Sequence, residues 1–375
     1  MKNTMNNTFL LYTLLSAQIL TASDICAQNI HSKKWKDIAY KQPIEWYASD
    51  EALAIADSVL KYQMPNGGWP KNQEWHVGAD QAYMQKCREE GIGSTFDNNA
   101  TTSEMKFLCR MYNSKKDKRY RTAFIHGLEY ILKAQYANGG WPQFFPARKG
   151  RSVAYSSHIT FNDGAMTNIL KLLENISDGN TIYDKLNIPD TLKTKAHEAY
   201  KRGVQCILDC QYKQDGKLTV WCQQHDENTL LPAPARAYEL KSLSGHGETV
   251  DILQFLMSIP NPSDSICRSI KSAVEWLKKS AIKDTVIEKY TDSEGRTDIR
   301  PVYKKGAPDI WARFYSIETD KPIFCDRDGI AKASIEEIGY ERRNGYRWYG
   351  SSPQKIIDVY KDWLERNGYT DSEQQ

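Results

Sequence analysis

One phrase returns along this chain. "QMPNGGWPKNQ" runs from Gln63 to Gln73, and "QYANGGWPQFFP" runs from Gln135 to Pro146. A weaker echo, "CQYKQDGKLTVWCQQ", begins at Cys210. The leading glutamines Gln63, Gln135 and Gln211 are spaced roughly seventy-odd residues apart, the size of a supersecondary repeat. Helical stretches alternate with these turn-rich phrases. "DEALAIADSVLKYQM" (Asp50 to Met64) carries Leu53, Ile55, Ala56, Val59 and Leu60 near helical spacing and stops at Pro65-Asn66-Gly67-Gly68. Helices are likewise predicted over "NNATTSEMKFLCRMYN", "RYRTAFIHGLEYILKAQYA", "DGAMTNILKLLENIS", "DTLKTKAHEAYKRGVQCILDCQY" and "SDSICRSIKSAVEWLKKSAI". Another is predicted over "ELKSLSGHGETVDILQFLMSI", interrupted by its glycines, and a last over "PQKIIDVYKDWLERN". A helix that ends in a glycine turn, a Trp-bearing loop and a returning helix make one unit. Such a unit cannot bury its apolar face alone, so three of them should close into a ring. The expected fold is mainly α, an α/α toroid of about three helical hairpins. From about Asp284 the pattern becomes β-like around Ser293-Glu294-Gly295, which predicts a hairpin decorating the same domain.

The first 27 residues read as a signal peptide. An apolar run from Phe9 to about Leu20 is followed by small residues and a cut after Ala27. Residues 28–375 are then one catalytic domain, exported to the periplasm or secreted. Cys26 offers a lipid-anchor alternative with a poor lipobox. No later stretch is long and apolar enough to span a membrane. The formal net charge of +3 excludes nucleic-acid binding by bulk charge. The seven cysteines after the leader are too sparse for a disulfide framework and are expected as buried thiols.

In such a ring the loops at one end form a cleft, so chemistry belongs in the loops. Three loop phrases qualify: "STFDNNATTSE", "YSSHITFNDGAM" and "QQHDENTLLPAPARAYELKS". Asp97 and Asp163 stand at loop–helix junctions. Each is either a helix N-cap or one of two hard oxygen ligands for Ca²⁺ shared with a substrate. Trp69 and Trp141 are packing wedges or sugar platforms. Trp221, Trp348 and Tyr349 are the candidates for contact near the cleft. His158 and His225 carry no assigned role.

The motifs "NGGWPKN", "TFDNNATTSEMKFL", "NGGWPQFFP", "ITFNDGAMTNILKLL", "PARAYELKSLSGHGE", "IWARFYSIETDKPIFCDRDG" and "RRNGYRWYG" occur in this order. Together they make the chain, from roughly Trp46 to Leu364, resemble the pectate lyases of polysaccharide lyase family 10. The resemblance implies an (α/α)₃ toroid and calcium-assisted anti-β-elimination of α-1,4-linked galacturonan. It implies Arg236 as catalytic base, Asp97 and Asp163 as calcium ligands, and Arg313, Arg327 and Asn162 as substrate-binding residues. The implied cofactor is Ca²⁺ and the implied partner is the acidic polysaccharide polygalacturonate; the chain itself is expected to be a monomer. Arginine is an uncomfortable base, because its pKa exceeds about 12. A neutral guanidine would suit a weak carbon acid, whereas a charged one would clamp a uronate carboxylate. Two other readings remain open: a toroid glycoside hydrolase with Asp97 and Asp163 as its acid–base pair, and a non-catalytic pectin-binding protein.

Overall fold

The computed structural model describes residues 30, 32–179 and 181–368. The expected signal peptide and Cys26 lie outside the described residues.

Helices dominate. A short α1 (Trp35–Lys41) precedes α2 (Asp50–Lys61) and α3 (Gln81–Glu89). Three hairpins of long helices follow. They are α4 (Thr102–Lys115) with α5 (Lys118–Ala134), α6 (Ala165–Asp178) with α7 (Asp190–Cys210), and α8 (Glu248–Ser258) with α9 (Asp264–Ser280). The first member of each pair packs on the first member of the next, so α4, α6 and α8 form the inner layer. Helix α5 meets α7, and α7 meets α9, in the outer layer. The short α10 (Tyr340–Gly345) and the terminal α11 (Ser352–Arg366) complete the series, with α11 packed on α8 and α9. This is the expected (α/α)₃ toroid.

The repeated phrase has a direct structural cause. Gln63 Nε2 donates to Gly67 O at 2.8 Å and to Ala123 O of α5 at 2.9 Å. Gln135 Nε2 donates in the same way to Gly139 O and to Ala199 O of α7. Gln211 Nε2 donates to Thr219 O and to Ser269 O of α9. Each glutamine therefore closes its own turn and ties it to the next outer helix. The glycine after it is obligatory: φ is +99° at Gly67 and +90° at Gly139, and a Cβ there would lie 2.2 Å from His126 O and 2.1 Å from Arg202 O.

The tryptophans repeat too, and they do so four times. Trp69 Nε1 donates to Val59 O, Trp141 to Ile131 O, Trp221 to Ile207 O and Trp311 to Leu277 O. In every case the indole turns back onto a helix that precedes it, α2, α5, α7 and α9 in turn. All four are fully buried, so they are wedges and not sugar platforms. Trp221 and Trp348, expected near the cleft, are both buried. Trp348 sits in a small second cluster with Phe314, Phe324, Ile335 and Ile338. Only Tyr349 of that group keeps partial exposure.

The predicted hairpin is present. Thr285–Thr291 pairs antiparallel with Thr297–Tyr303 through all seven positions, and Asp292–Arg296 makes the turn. One expectation fails. The helix expected from Glu239 starts only at Glu248, because Glu239–Gly247 is a loop holding the strand Leu243–Ser244. Gly245 N–H donates to Arg313 O, and a Cβ at Gly245 would lie 2.2 Å from Ala312 O. The chain is therefore spent on packing against the Trp311 loop and cannot coil. The cysteines among the described residues are all free, and six of the seven are buried.

Candidate active site

The loop ends of the inner helices carry the chemistry. Phe96-Asp97-Asn98 and Phe161-Asn162-Asp163 are equivalent turns. Phe96 N–H donates to Gln143 O, and Phe161 N–H donates to Gln223 O. The third residue of each turn is left-handed, with φ of +52° at both Asn98 and Asp163. Non-glycine residues adopt this conformation rarely, and asparagine and aspartate do so most readily. Neither carboxylate caps a helix. The N-cap positions of α4 and α6 are Thr101 and Gly164, and neither has a side-chain capping bond. The N-cap explanation for Asp97 and Asp163 therefore falls.

Four residues stand two positions after a wedge tryptophan: Lys71, Gln143, Gln223 and Arg313. Three of them reach the site, while Gln143 Oε1 accepts from Gln224 Nε2. Lys71 Nζ ion-pairs with the buried Asp97. Gln223 Nε2 bonds to Asn162 Oδ1. Arg313 Nη2 donates to Glu248 Oε1 at 3.0 Å, with both side chains largely buried. Asp163 Oδ2 accepts from Asn162 Nδ2 at 2.8 Å.

This is a concentrated acidic site. Burial pushes Asp163 up to about 6, and the charges of Asp97 and Glu248 act in the same direction, against Arg313. Burial also lifts Asp251 to about 6, helped by Glu248 and Asp163. Buried polar atoms here lack hydrogen-bond partners among the described residues: Asp97 Oδ1, Thr160 Oγ1, Gln223 Oε1 and Arg313 Nε. Native interiors hold few such atoms, and a cluster of them marks a place built for a ligand or ion.

Arg236 stands at the other side of a short relay. Its backbone N–H donates to Glu239 Oε2 at 3.1 Å, and its Nη1 reaches Glu239 Oε1 at 3.4 Å and Tyr238 Oη at 3.2 Å. The Tyr346 hydroxyl donates to the same Glu239 Oε1 at 2.9 Å. The Tyr346 ring in turn lies 4.7 Å from the Arg313 guanidinium. Arg236 is thus pinned on its inner edge, while 38% of its side chain stays exposed. Burial works against its charge, but Glu239 and Tyr238 outweigh that, and its pKa is displaced upward. Arg327 is placed differently. It is 65% exposed and pairs with the exposed Glu341, at the rim of the Tyr238 ring.

The structure therefore gathers Asp97, Asn162, Asp163 and Arg313, links Arg236 to them through Glu239 and Tyr346, and leaves Arg327 peripheral. Sequence reasoning missed Lys71, Glu239, Glu248, Asp251 and Tyr346. The position two residues after each repeat tryptophan was the available signal for Lys71. A separate trio, His158, Asp226 and Glu227, brings its ligand atoms within 4.8 Å of one another. Asp226 Oδ1 already accepts from Asn228 N, Thr229 N and Thr229 Oγ1, and His158 Nδ1 is held by Glu227.

The pectic acid lyase profile matches residues 63–357. The chain belongs to that family. Among solved structures, a family 10 polysaccharide lyase from Cellvibrio cellulosa shares 33% identity, with a TM-score of 0.72 over 94% of this chain and 99% of that one. A mutant of that lyase in complex with trigalacturonic acid gives 33% identity and a TM-score of 0.71, over 87% of this chain and 96% of that one. No curated protein matches the chain. As a pectate lyase, the protein is an enzyme of polysaccharide degradation. No helix among the described residues is long and apolar enough to cross a membrane.

Proposed function

We propose that this pectate lyase cleaves polygalacturonate by anti-β-elimination, with Arg236 as the base and calcium held by Asp97 and Asp163. The observation that carries the reading is the pinned yet part-exposed Arg236, coupled through Glu239 and Tyr346 to the acidic site. The solved relative in complex with trigalacturonic acid supports the substrate class.

The donor set fits a hard cation. Asp97 Oδ1 is buried without a partner, and Asp163 carries a charge its surroundings resist. Oxygen donors of this kind suit Ca²⁺, which would supply electron withdrawal from a uronate carboxylate. The chain's own residues do the rest. Arg313 binds that carboxylate and stabilises the charge that grows as the C5 proton leaves. Asn162 donates to a substrate oxygen, and Arg327 contacts the substrate at the rim. Arg236 takes the C5 proton. The C5–H electron pair forms the C4–C5 double bond, the C4–O bond breaks, and the departing oxygen takes a proton from water. The products are a chain with a new reducing end and an unsaturated uronate.

The Glu239 contact favours a second reading, in which Arg236 stays charged and clamps a substrate carboxylate. Arg236→Lys separates the two. A base must place one atom within hydrogen-bond reach of C5, and the shorter ammonium misses it. The expected outcome is a kcat lower by about 100-fold or more with KM little changed. A near-normal kcat with raised KM makes Arg236 a clamp. We further propose that the protein acts after export, with the leader removed at about Ala27. A mature mass that includes the leader, or a lipid on Cys26, contradicts this.

A further inference from the structure

A cavity of about 460 Å³ lies beside the acidic site and has no part in the reaction above. Its size falls within the range of small-ligand sites, roughly 300–1,000 Å³. Its lining includes Asn72, Asn98 and Asn99, an amide wall, and Lys34 and Lys36, a lysine wall, together with Lys71.

Three independent features suggest that it is built for a ligand. The first is continuity. Asn98 and Asn99 directly follow Asp97, and Lys71 is ion-paired with Asp97. The second is the backbone of the amide wall. Asn72, Asn98 and Asn99 all have positive φ, from +52° to +64°. Such conformations cost roughly 1–3 kcal/mol each and persist where the surroundings impose them. Here side chains lock the wall: Asn98 Nδ2 donates to Asn72 Oδ1, and Asn168 Nδ2 donates to Asn99 Oδ1. The third is the anchoring of the lysine wall. Trp35, between the two lysines, is buried and donates through Nε1 to Glu104 Oε1 at 2.7 Å. Trp75 Nε1 donates to the same oxygen at 2.8 Å. Glu74 accepts the Trp35 backbone N–H. The two glutamates that line the cavity are thus engaged with tryptophan N–H donors, while the lysines stay exposed at its edge. Amide donors with ammonium groups suit a sugar that carries hydroxyls and a carboxylate. Lys34, Trp35 and Lys36 precede the residues matched by the family profile.

We infer that this cavity is an additional uronate subsite, in which Lys34 and Lys36 take the carboxylate of a galacturonate unit remote from the bond being cleaved. The inference rests on the galacturonan reading of the active site and sets how long an oligomer the protein engages.

The test is a length series. Galacturonate oligomers from trimer to hexamer are titrated calorimetrically into an Arg236→Ala parent, which removes turnover and leaves the cavity untouched. The same series is titrated into that parent carrying Lys34→Ala and Lys36→Ala, and into one carrying Lys34→Glu and Lys36→Glu. Both lysines are exposed, so folding is not at risk. Parent affinity is expected to climb with length. The alanine pair should weaken the longest oligomer about tenfold and the trimer hardly at all. The glutamate pair should weaken it further, and added salt should shrink both losses. Identical length series in all three proteins overturn the subsite. A loss equal at every length also overturns it, since that reports a general field and not a seat for one unit. Wild-type protein that binds the series as expected, yet forms no conjugated unsaturated product from polygalacturonate, contradicts the lyase reaction and leaves the subsite standing.

Discussion

Glu239 holds Arg236 at both ends, taking its backbone N–H at 3.1 Å and its guanidinium at 3.4 Å. The carboxylate is itself buried and also accepts the Tyr346 hydroxyl. The contact that positions the proposed base therefore also keeps it protonated. Activity that needs neutral Arg236 must climb as the solution becomes alkaline. Glu239→Gln keeps an acceptor and removes the charge, so the pKa of Arg236 falls. The expected outcome is a pH–kcat profile that rises at lower pH than in wild type. A profile of unchanged shape in a folded Glu239→Gln protein excludes Arg236 as the titrating base.

Asp163 is set against its own stability. Its folded pKa of about 6 exceeds the unfolded carboxylate value of about 3.9, so the ionised form is the costly one. The penalty is full above about pH 6 and vanishes below about pH 4. Asp163→Asn keeps a residue suited to φ of +52° and removes the charge. Without calcium at pH 7 it should stabilise the fold by about 1–3 kcal/mol, while activity is nearly abolished. The melting advantage should fade as pH is lowered toward 4. Wild type should regain stability on adding calcium, and the variant should not. A destabilised Asp163→Asn protein with near-normal turnover would sink the calcium assignment.

Arg313 requires a conservative substitution. Its ion pair with Glu248 is largely buried, and removing one partner leaves the other charge uncompensated, at a cost of about 3–5 kcal/mol. Arg313→Ala should therefore lower the melting temperature markedly and report little about catalysis. Arg313→Lys keeps the charge and loses the fork geometry. Its KM should rise several-fold more than its kcat falls, as read from steady-state kinetics. An unchanged KM removes Arg313 from substrate binding.

The repeat predicts a structural result at Trp221. Trp221→Phe leaves Ile207 O, at the end of the outer helix, without its indole donor. The expected cost is about 1–3 kcal/mol in urea unfolding, with kcat and KM of the folded protein unchanged. A selective rise in KM would restore Trp221 as a sugar contact.

Much of this architecture was legible in the sequence because one physical need recurs. Gln63, Gln135 and Gln211 each close a turn and tie it to the next outer helix, so their spacing reports the hairpin size. The fourth member, Trp311, was hidden because the Thr285–Tyr303 hairpin separates it from the helix it packs on. Asp97 and Asp163 stood out as carboxylates at loop–helix junctions, but only coordinates show that neither caps a helix. Glu239, Glu248 and Tyr346 were illegible for a different reason. Their partners are remote in sequence or folded back through a loop, and the stretch from Glu239 reads as helix until Gly245 is seen packed on Ala312.

The most direct measurement counts bonds. Purified protein is incubated with polygalacturonate and calcium, and new reducing ends are compared with the ultraviolet absorbance of conjugated unsaturated uronate. Elimination predicts one absorbing end for every reducing end, with both lost on adding a chelator. Reducing ends that accumulate without that absorbance would mean hydrolysis and would contradict the account.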